Sequence, residues 1–292
     1  MSESKKMPKR GISTYCFYPQ LDVNMDLEDI FMHMEDMEAY GLEILADGII
    51  EGYPWPSNKW LDRWFALIEK YHIVPVEYGH WIESRLVPGR EATLEESLEQ
   101  LIRDIKLASF LGFPYMRTKL GVIDDVLNPV TNWREIILRA LPYAEKYNVV
   151  MQPELHAPTR LTDPMVQAYA EFIDKEKTKH FGFNVDFGIF QYRDPEGMER
   201  ERPGHFKFNP SKPEDIIPFL PYVHCCHAKY YNMSEDFEET TIPYREVIDI
   251  MIAHGWNGYL LSEYEGPKKT DINHCITQVR RHQLFMKNIL GA

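Results

Sequence analysis

Positive charge and long hydrophobic runs are both scarce in this chain of 292 residues. Lysine and arginine number 32 against 45 aspartates and glutamates, and the resulting formal net charge of −13 disfavours nucleic acid or an anionic membrane as the main partner. No apolar run reaches the roughly 18 residues of a transmembrane helix. The first residues, MSESKKMPKRG, lack the apolar core of a signal peptide. We therefore expect a soluble, acidic globular protein.

Cysteine is also rare, with four residues in the whole chain: Cys16, Cys225, Cys226 and Cys275. Their spacing makes neither a CxxC pair nor a zinc knuckle, and the adjacent Cys225 and Cys226 are awkwardly placed for disulfides. This pattern is typical of a reducing compartment, so we expect a cytoplasmic protein.

Short apolar runs alternate with amphipathic segments from one end of the chain to the other, as expected for alternating strands and helices. The eight strand-like runs are Gly11–Cys16, Leu42–Ala46, Ile73–Tyr78, Pro114–Thr118, Val149–Glu154, Phe181–Asp186, Val223–Lys229 and Gly258–Glu263. The clearest helical patterns are Leu27–Ala39, a segment opened by a capping box at Thr93 and Glu96, Trp133–Tyr147, Pro164–Ile173, Tyr244–His254 and Asp271–Leu290.

Strands that alternate with helices pair in parallel through crossover connections, and eight such units predict a closed α/β fold, a single (β/α)₈ TIM barrel. Residues 1–10 are expected to form a disordered tail and residues 11–292 the barrel domain. The competing architecture is a doubly wound sheet, but no strand precedes a GxGxxG turn or a P-loop. Pro75 and Pro153 fall inside predicted strands, where proline cannot donate a ladder hydrogen bond. A bulge or an early strand end is expected at each.

Four consecutive predicted strands deliver polar side chains to the carboxyl edge of the barrel, where chemistry collects in this fold. These residues are Glu154, Asp186, His227 and Glu263, separated by 32, 41 and 36 residues, or one βα unit each. Three carboxylates in one pocket would repel each other, and a divalent cation would remove that penalty. Oxygen and imidazole ligands suit Mn²⁺, Mg²⁺, Fe²⁺, Co²⁺ or Zn²⁺, whereas the lack of thiolate disfavours a structural zinc site.

The seventh strand carries two histidines, and strand alternation separates them. His227 shares its face with Cys225 and Lys229, so His227 is the predicted ligand. His224 points the other way and is expected to pack against the surrounding helices. Glu265, on the face of Glu263 but further out, is expected either to orient a neighbouring group or to lie on the solvated surface.

Further candidates lie near the same predicted edge. His156, on the face of Glu154, is a candidate for substrate contact or proton transfer. Lys229 and Arg117 could hold a hydroxyl or polarise a carbonyl, or only balance the acidic cluster. His80 and Trp81 could line the pocket. Tyr53, Trp55 and Trp60 could form an aromatic stacking wall. Ordinary loop packing is the alternative for all of these aromatic residues.

The segments ELH, NVDFG, CCHAK and SEYEG resemble the xylose isomerase-like TIM barrels, a superfamily of sugar isomerases and epimerases. The resemblance covers nearly the whole chain and implies that Glu154, Asp186, His227 and Glu263 bind one divalent metal, usually manganese. Tagatose-type ketose epimerases also place a sugar-holding histidine three residues after the metal aspartate. This chain has Ile189 there, which argues against that type of epimerase. The second metal site of xylose isomerase cannot be located.

The combination of ELHAPT, VDFGIFQ and SEYEG resembles a narrower bacterial branch that includes the large, or alpha, subunits of C-glycoside deglycosidases. That resemblance implies a 3-oxo-glycoside substrate, cleavage by β-elimination and a small β-rich partner subunit, with an oligomeric assembly. Isomerisation or epimerisation of a sugar remains open beside it.

Both reactions begin with proton removal next to a carbonyl. For the isomerase, Glu154 and Glu263 are the expected catalytic residues; for elimination, His156 is the expected base or acid. Two other classes of protein compete with these enzymes. A non-catalytic barrel subunit would be indicated by loss of a ligand, and all four are present. An endonuclease IV-like nuclease would need more histidine ligands and a basic DNA-binding face.

Overall fold

The computed structural model of the protein describes residues 6–82, 92–120, 129, 131–194 and 209–291. The strands are β1 (Lys9–Ser13), β2 (Gly41–Leu45), β3 (Val74–Ile82), β4 (Tyr115–Leu120), β5 (Val150–Gln152), β6 (Glu154–Leu155), β7 (Phe183–Asp186), β8 (Val223–Tyr230) and β9 (Tyr259–Tyr264). The helices are α1 (Leu27–Asp36), α2 (Ala46–Ile49), α3 (Asn58–Lys70), α4 (Leu94–Leu111), α5 (Trp133–Tyr147), α6 (Pro164–Glu176), α7 (Tyr244–Ala253) and α8 (Ile272–Leu290), with 3₁₀ helices at Thr14–Gln20, Phe187–Phe190 and Pro213–Tyr222.

The strands form one parallel sheet in the order β5-β4-β3-β2-β1-β9-β8-β7-β6. The ends of the sheet meet, because β5 and β6 are the two halves of the predicted fifth strand. A bridge between Met151 and Phe181 and a hydrogen bond from the Asn184 amide to the Pro153 carbonyl (3.1 Å) join them to β7. The prediction of a single TIM barrel is confirmed.

Both strand prolines sit at irregularities, as expected. Pro153 separates β5 from β6, since it has no N–H to donate. In β3, Pro75 pairs with Leu42, and the register then shifts so that Glu43 pairs with Glu77. The bulge absorbs the proline and brings Glu43 and Glu77 side by side.

Two differences from the sequence prediction concern the start of β1 and the segment before β8. β1 begins at Lys9, so Lys9 and Arg10 pair with β9 rather than belonging to the tail. The segment before β8, for which the sequence predicts no helix, is the 3₁₀ helix Pro213–Tyr222. Its three prolines, Pro213, Pro218 and Pro221, are incompatible with a regular α-helical ladder.

The apolar core lies between the helices and the outer face of the sheet, where side chains such as Phe31, Trp64 and Phe183 are buried. The capping box that opens α4 is confirmed: Glu96 N donates to Thr93 Oγ1 (3.2 Å) and Thr93 N to Glu96 Oε2 (2.8 Å). No helix in the described part of the chain is long and apolar enough to cross a membrane.

A separate apolar cluster, formed by Val76, Cys225 and Leu261, is packed against Tyr115 and Tyr259. Cys225 and Leu261 stand two residues before His227 and Glu263 on the same strands, toward the amino ends. The barrel interior is therefore apolar toward the amino ends of the strands and polar toward their carboxyl ends.

Candidate active site

Four strands bring Glu154, Asp186, His227 and Glu263 to one point inside the barrel. Each residue offers a ligand atom, and these atoms all lie within 4.8 Å of one another. Asp186 and His227 are fully buried, while the Glu154 side chain is 14% exposed. The register explains the convergence, because Asp186 pairs directly with His227 and Lys229 pairs with Glu263. The sequence-predicted ligand set is thus one spatial cluster, which we call the carboxylate–histidine cluster.

The chemistry of this cluster fits a divalent cation. Asp186 Oδ2 and Glu263 Oε2 are buried and have no hydrogen-bond donor among the described residues. Their contact with Lys229 is an ion pair, with Nζ 2.7 Å from Asp186 Oδ2 and 3.3 Å from Glu263 Oε2. Three carboxylates and one imidazole, with oxygens left without hydrogen bonds, are the donor set that oxygen-preferring divalent metals use.

The charges of the cluster shift the pKa values of its members. Burial, with the nearby carboxylates Glu263 and Glu154, raises the pKa of Asp186 to about 8 against the opposing effect of Lys229. Burial lowers the pKa of His227, but the carboxylates Glu43, Glu263 and Glu154 outweigh it and hold that pKa well above its ordinary value. The cluster therefore favours bound positive charge.

Two further buried carboxylates, which the sequence analysis did not single out, lie against His227 on the opposite side of its ring from Glu154. Glu43 Oε2 lies 3.2 Å and Glu77 Oε2 3.3 Å from His227 Nε2, and both glutamates are fully buried. Their signal in the sequence is a glutamate inside an apolar strand-like run, GLEIL and VPVEYG. Glutamate is seldom fully buried without a partner, so such a position indicates a paired group.

Arg117, a predicted substrate residue, is bound to a member of the cluster. Its Nη1 donates to Glu154 Oε2 at 2.8 Å, and its Nε lies 3.4 Å from Glu43 Oε1. Burial opposes the charged form, but these two glutamates raise the Arg117 pKa above its usual value. In the structure Arg117 holds Glu154 in place.

Lys229 lies near the carboxyl end of β8, two residues after His227, and touches three carboxylates. Besides Asp186 and Glu263, its Nζ is 2.9 Å from Glu265 Oε2. Tyr15 Oη donates to the other oxygen of Glu265 at 3.3 Å. Glu265 thus orients a neighbouring group, the first of the two roles expected for it.

His156 stands two residues after Glu154 and is partly buried. Its Nδ1 lies 2.8 Å from the Ala157 carbonyl oxygen. A carbonyl only accepts hydrogen bonds, so Nδ1 carries the proton in the neutral ring and Nε2 keeps a free lone pair. Burial raises the pKa of Glu154, but Arg117 and His227 lower it, with a smaller lowering contribution from His156.

The other candidates lie elsewhere or outside the description. Trp60 stacks on Trp64 in the core (5.6 Å between centroids), and Tyr53 Oη donates to Asp104 Oδ1 (2.9 Å), so both expected wall residues serve in packing. Trp55 is 76% exposed in the loop before α3, and its contact with substrate stays a prediction. The backbone of His80 and Trp81 belongs to β3, but their side chains lie outside the described part of the structure.

His224 does not pack on the helices as expected. It stacks on Tyr115 of β4, with ring centroids 5.2 Å apart and planes 18° from parallel. The register shift between Phe183 and Asn184 leaves His224 unpaired in the β7–β8 ladder and breaks the alternation on which the expectation rested.

The chain is similar in sequence to alpha subunits of deglycosidases along most of its length. The chain is 22% identical to the 3′-dehydrocarminate deglycosidase alpha subunit of a Microbacterium species, over 98% of this chain and 96% of the relative. It is 20% identical to a C-glycoside deglycosidase alpha subunit of Arthrobacter globiformis, over 89% and 84%.

The fold superposes on D-psicose 3-epimerase from Clostridium cellulolyticum H10 with a TM-score of 0.67 and 14% identity, over 97% of this chain and 99% of that one. The family model described as xylose isomerase-like TIM barrel matches residues 34–288. The chain belongs to the xylose isomerase-like TIM barrel family.

Proposed function

We propose that this protein is a metal-dependent lyase that cleaves the bond between an oxidised sugar and its aglycone by β-elimination, in the manner of a C-glycoside deglycosidase alpha subunit. The observation that carries the proposal is the carboxylate–histidine cluster, with Lys229 in ion-pair contact with two of its carboxylates and His156 two residues after Glu154. Two relatives of that activity, aligned over most of their length, support the substrate class.

Glu154, Asp186, His227 and Glu263 would hold the cation, and manganese is the metal we expect. Bound there, it would supply positive charge that stabilises the negative charge developing on the sugar carbonyl oxygen. Arg117 contributes by fixing Glu154 through a buried charge-assisted hydrogen bond.

His156 is the proposed base. Its Nε2 lone pair takes the proton from the carbon between the carbonyl and the anomeric carbon. The electrons of that C–H bond form a double bond to the anomeric carbon, and the bond to the aglycone breaks. The aglycone leaves with the electron pair and takes up a proton, so that His156, once protonated, is a suitable donor for it.

Lys229 is the proposed substrate anchor. Its ammonium group lies within 3.3 Å of carboxylate oxygens of Asp186, Glu263 and Glu265, which fix its position. From there it can donate to a sugar hydroxyl or to the carbonyl oxygen. His80, Trp81 and Trp55 are proposed to contact the sugar or the aglycone.

Isomerisation or epimerisation of a free ketose is the second candidate, with Glu154 and Glu263 exchanging the proton. It is favoured by the shared fold and by the same cluster. Ile189 weighs against the tagatose-type reaction, because it is 2% exposed and offers no hydrogen bond where those epimerases place a histidine.

The relatives are named alpha subunits, so we propose that a small β-rich partner subunit joins this chain in an oligomer. We also propose a cytoplasmic location, since all four cysteines are free thiols.

The deciding experiment incubates the manganese-loaded protein with a 3-oxo-C-glycoside and, separately, with free ketoses, in the presence and absence of the partner subunit. Chromatography follows aglycone and sugar. Release of aglycone that requires this chain supports the lyase. Conversion of a ketose without aglycone release would replace the lyase by the second candidate.

A further inference from the structure

Both ring nitrogens of His227 face carboxylates, but the two sides of the ring differ. Nδ1 faces the open side of the cluster, 2.8 Å from Glu154 Oε1 and 3.5 Å from Glu263 Oε2. Nε2 faces the barrel interior, between Glu43 and Glu77. The ring is fully buried, so these contacts determine its orientation.

The interior side is a built network. Glu77 accepts from Gln152 Nε2 (2.7 Å) and Asn184 Nδ2 (2.9 Å), while Asn184 Oδ1 accepts from the His227 backbone amide (3.1 Å). The side-chain amides of Gln152 and Asn184 fix Glu77. Glu43 instead faces two charged side chains, His227 and Arg117. Through Arg117, Glu43 is also connected to Glu154.

We infer that Glu43 is a positioning residue for the metal site. Both ring nitrogens face carboxylates, which only accept hydrogen bonds: Nε2 faces Glu43 and Nδ1 faces Glu154. A cation bound between Nδ1 and Glu154 would take the place of the Nδ1 proton, and the proton on Nε2 would stay, held by its ion-pair contact with Glu43. The same carboxylate steadies the guanidinium of Arg117 and thereby Glu154. One buried group on β2 orients two of the four proposed ligands, which lie on β6 and β8.

The competing interpretation is a second cation between Glu43, Glu77 and His227, whose ligand atoms also lie within 4.8 Å of one another. The contacts favour positioning. Glu77 already accepts two amide hydrogen bonds, and the Arg117 guanidinium already supplies a positive charge to Glu43. A second cation would have to compete with both.

The inference rests on the metal site of the proposed function, and the test reads metal binding rather than turnover. Isothermal titration with Mn²⁺ compares the wild type, Glu43→Gln and Asp104→Asn. Asp104 is a matched control because it is another fully buried carboxylate, hydrogen-bonded to Tyr78 Oη (2.7 Å) away from the cluster. We expect Glu43→Gln to bind about 10- to 100-fold more weakly and Asp104→Asn to bind like the wild type.

A second measurement reads the wild-type protein and does not depend on whether Glu43→Gln folds. In ¹⁵N-histidine NMR spectra of the Zn²⁺-loaded wild type, with His227 assigned by its loss in His227→Gln, Nε2 should carry the proton and Nδ1 the metal. Zinc on Nε2, wild-type affinity in Glu43→Gln, or two ions per wild-type chain falling to one in Glu43→Gln would each overturn the positioning role. No binding by the wild type would overturn the metal site and this role together.

Discussion

The Arg117 guanidinium donates to Glu154 Oε2 at 2.8 Å, and the other oxygen of the same carboxylate lies 2.8 Å from His227 Nδ1. Glu154 therefore stands between a permanent cation and a titratable imidazole. Burial would raise its pKa, but Arg117 and His227 hold the pKa of Glu154 well below its ordinary value. The carboxylate stays ionised and available to a metal.

Removing Arg117 should show how much the folded state depends on its ion pairs with Glu154 and Glu43. In metal-free protein, Arg117→Met removes one of the two charged partners of Glu154 and Glu43 and leaves them to share His227, so we expect a loss of about 3–5 kcal/mol in the free energy of unfolding. Urea titration measures it. The control is Arg139→Met, which breaks the exposed pair with Glu95 and should change stability little. Equal losses in the free energy of unfolding for the two substitutions would show that the buried ion pair stabilises the fold no more than the exposed one.

Loss of a ligand should abolish metal binding without unfolding the barrel. Asp186→Ala removes a buried carboxylate whose Oδ2 forms an ion pair with Lys229 and whose Oδ1 accepts a hydrogen bond from the Gly188 amide. Circular dichroism therefore has to show that the variant is folded. Elemental analysis of the wild type should give about one divalent ion per chain, and Asp186→Ala should give close to none.

Asp36→Asn, at an exposed ion pair with Arg280, serves as the control for that experiment. A folded Asp186→Ala protein that retains the full metal content and turnover would contradict the role assigned to Asp186.

His156 should matter for turnover and not for metal binding. His156→Gln removes the proposed base while leaving the cluster intact, so kcat should fall by about 10²- to 10⁴-fold with unchanged Mn²⁺ affinity. His254→Gln is a matched control, since His254 Nδ1 also lies against a backbone carbonyl, that of Ile250 (2.9 Å), at the end of α7. Full activity in His156→Gln would move the proton transfer to another group.

Metal removal should lower thermal stability. A cation that binds only the folded chain stabilises it by about 2.7 kcal/mol at a free concentration 100 times Kd. Chelation should therefore lower Tm, and added Mn²⁺ should restore it in a concentration-dependent way. A Tm that is insensitive to both treatments would be incompatible with a folded-state metal site.

Acid should destabilise the protein partly through a buried histidine. Burial lowers the pKa of His224 to about 4, against about 6.5 in an unfolded chain. Between these values the unfolded state binds a proton that the folded state does not. The stabilising contribution is therefore complete above pH 6.5 and is lost as the pH falls toward 4, at about 1.4 kcal/mol per pH unit.

His224→Phe should keep the stacking on Tyr115 and remove this slope. The difference between the two proteins, measured by urea unfolding between pH 4 and 7, isolates His224 from the carboxylates that titrate in the same range. Parallel curves for the two proteins would show that His224 does not stay neutral when folded.

Much of the candidate site was predictable because every βα unit brings the carboxyl end of its strand to the same edge of the barrel. Glu154, Asp186, His227 and Glu263 each end or nearly end an apolar run, and parallel strands of a barrel present their carboxyl ends together. Glu43 and Glu77 were missed although they stand in similar runs. Their meeting depends on the bulge at Pro75, and a register shift of one residue cannot be read from alternation alone.

The sequence by itself determined the barrel, the order of its units, the acidic composition and the four converging side chains, because these follow from periodicity and from residue type. Only the tertiary structure decided that Arg117 binds Glu154, that Trp60 packs in the core, and that His227 lies between two pairs of carboxylates. Those relationships join residues on different strands across the barrel. Their distances are set by register and bulges, which depend on backbone pairing between segments far apart in the chain.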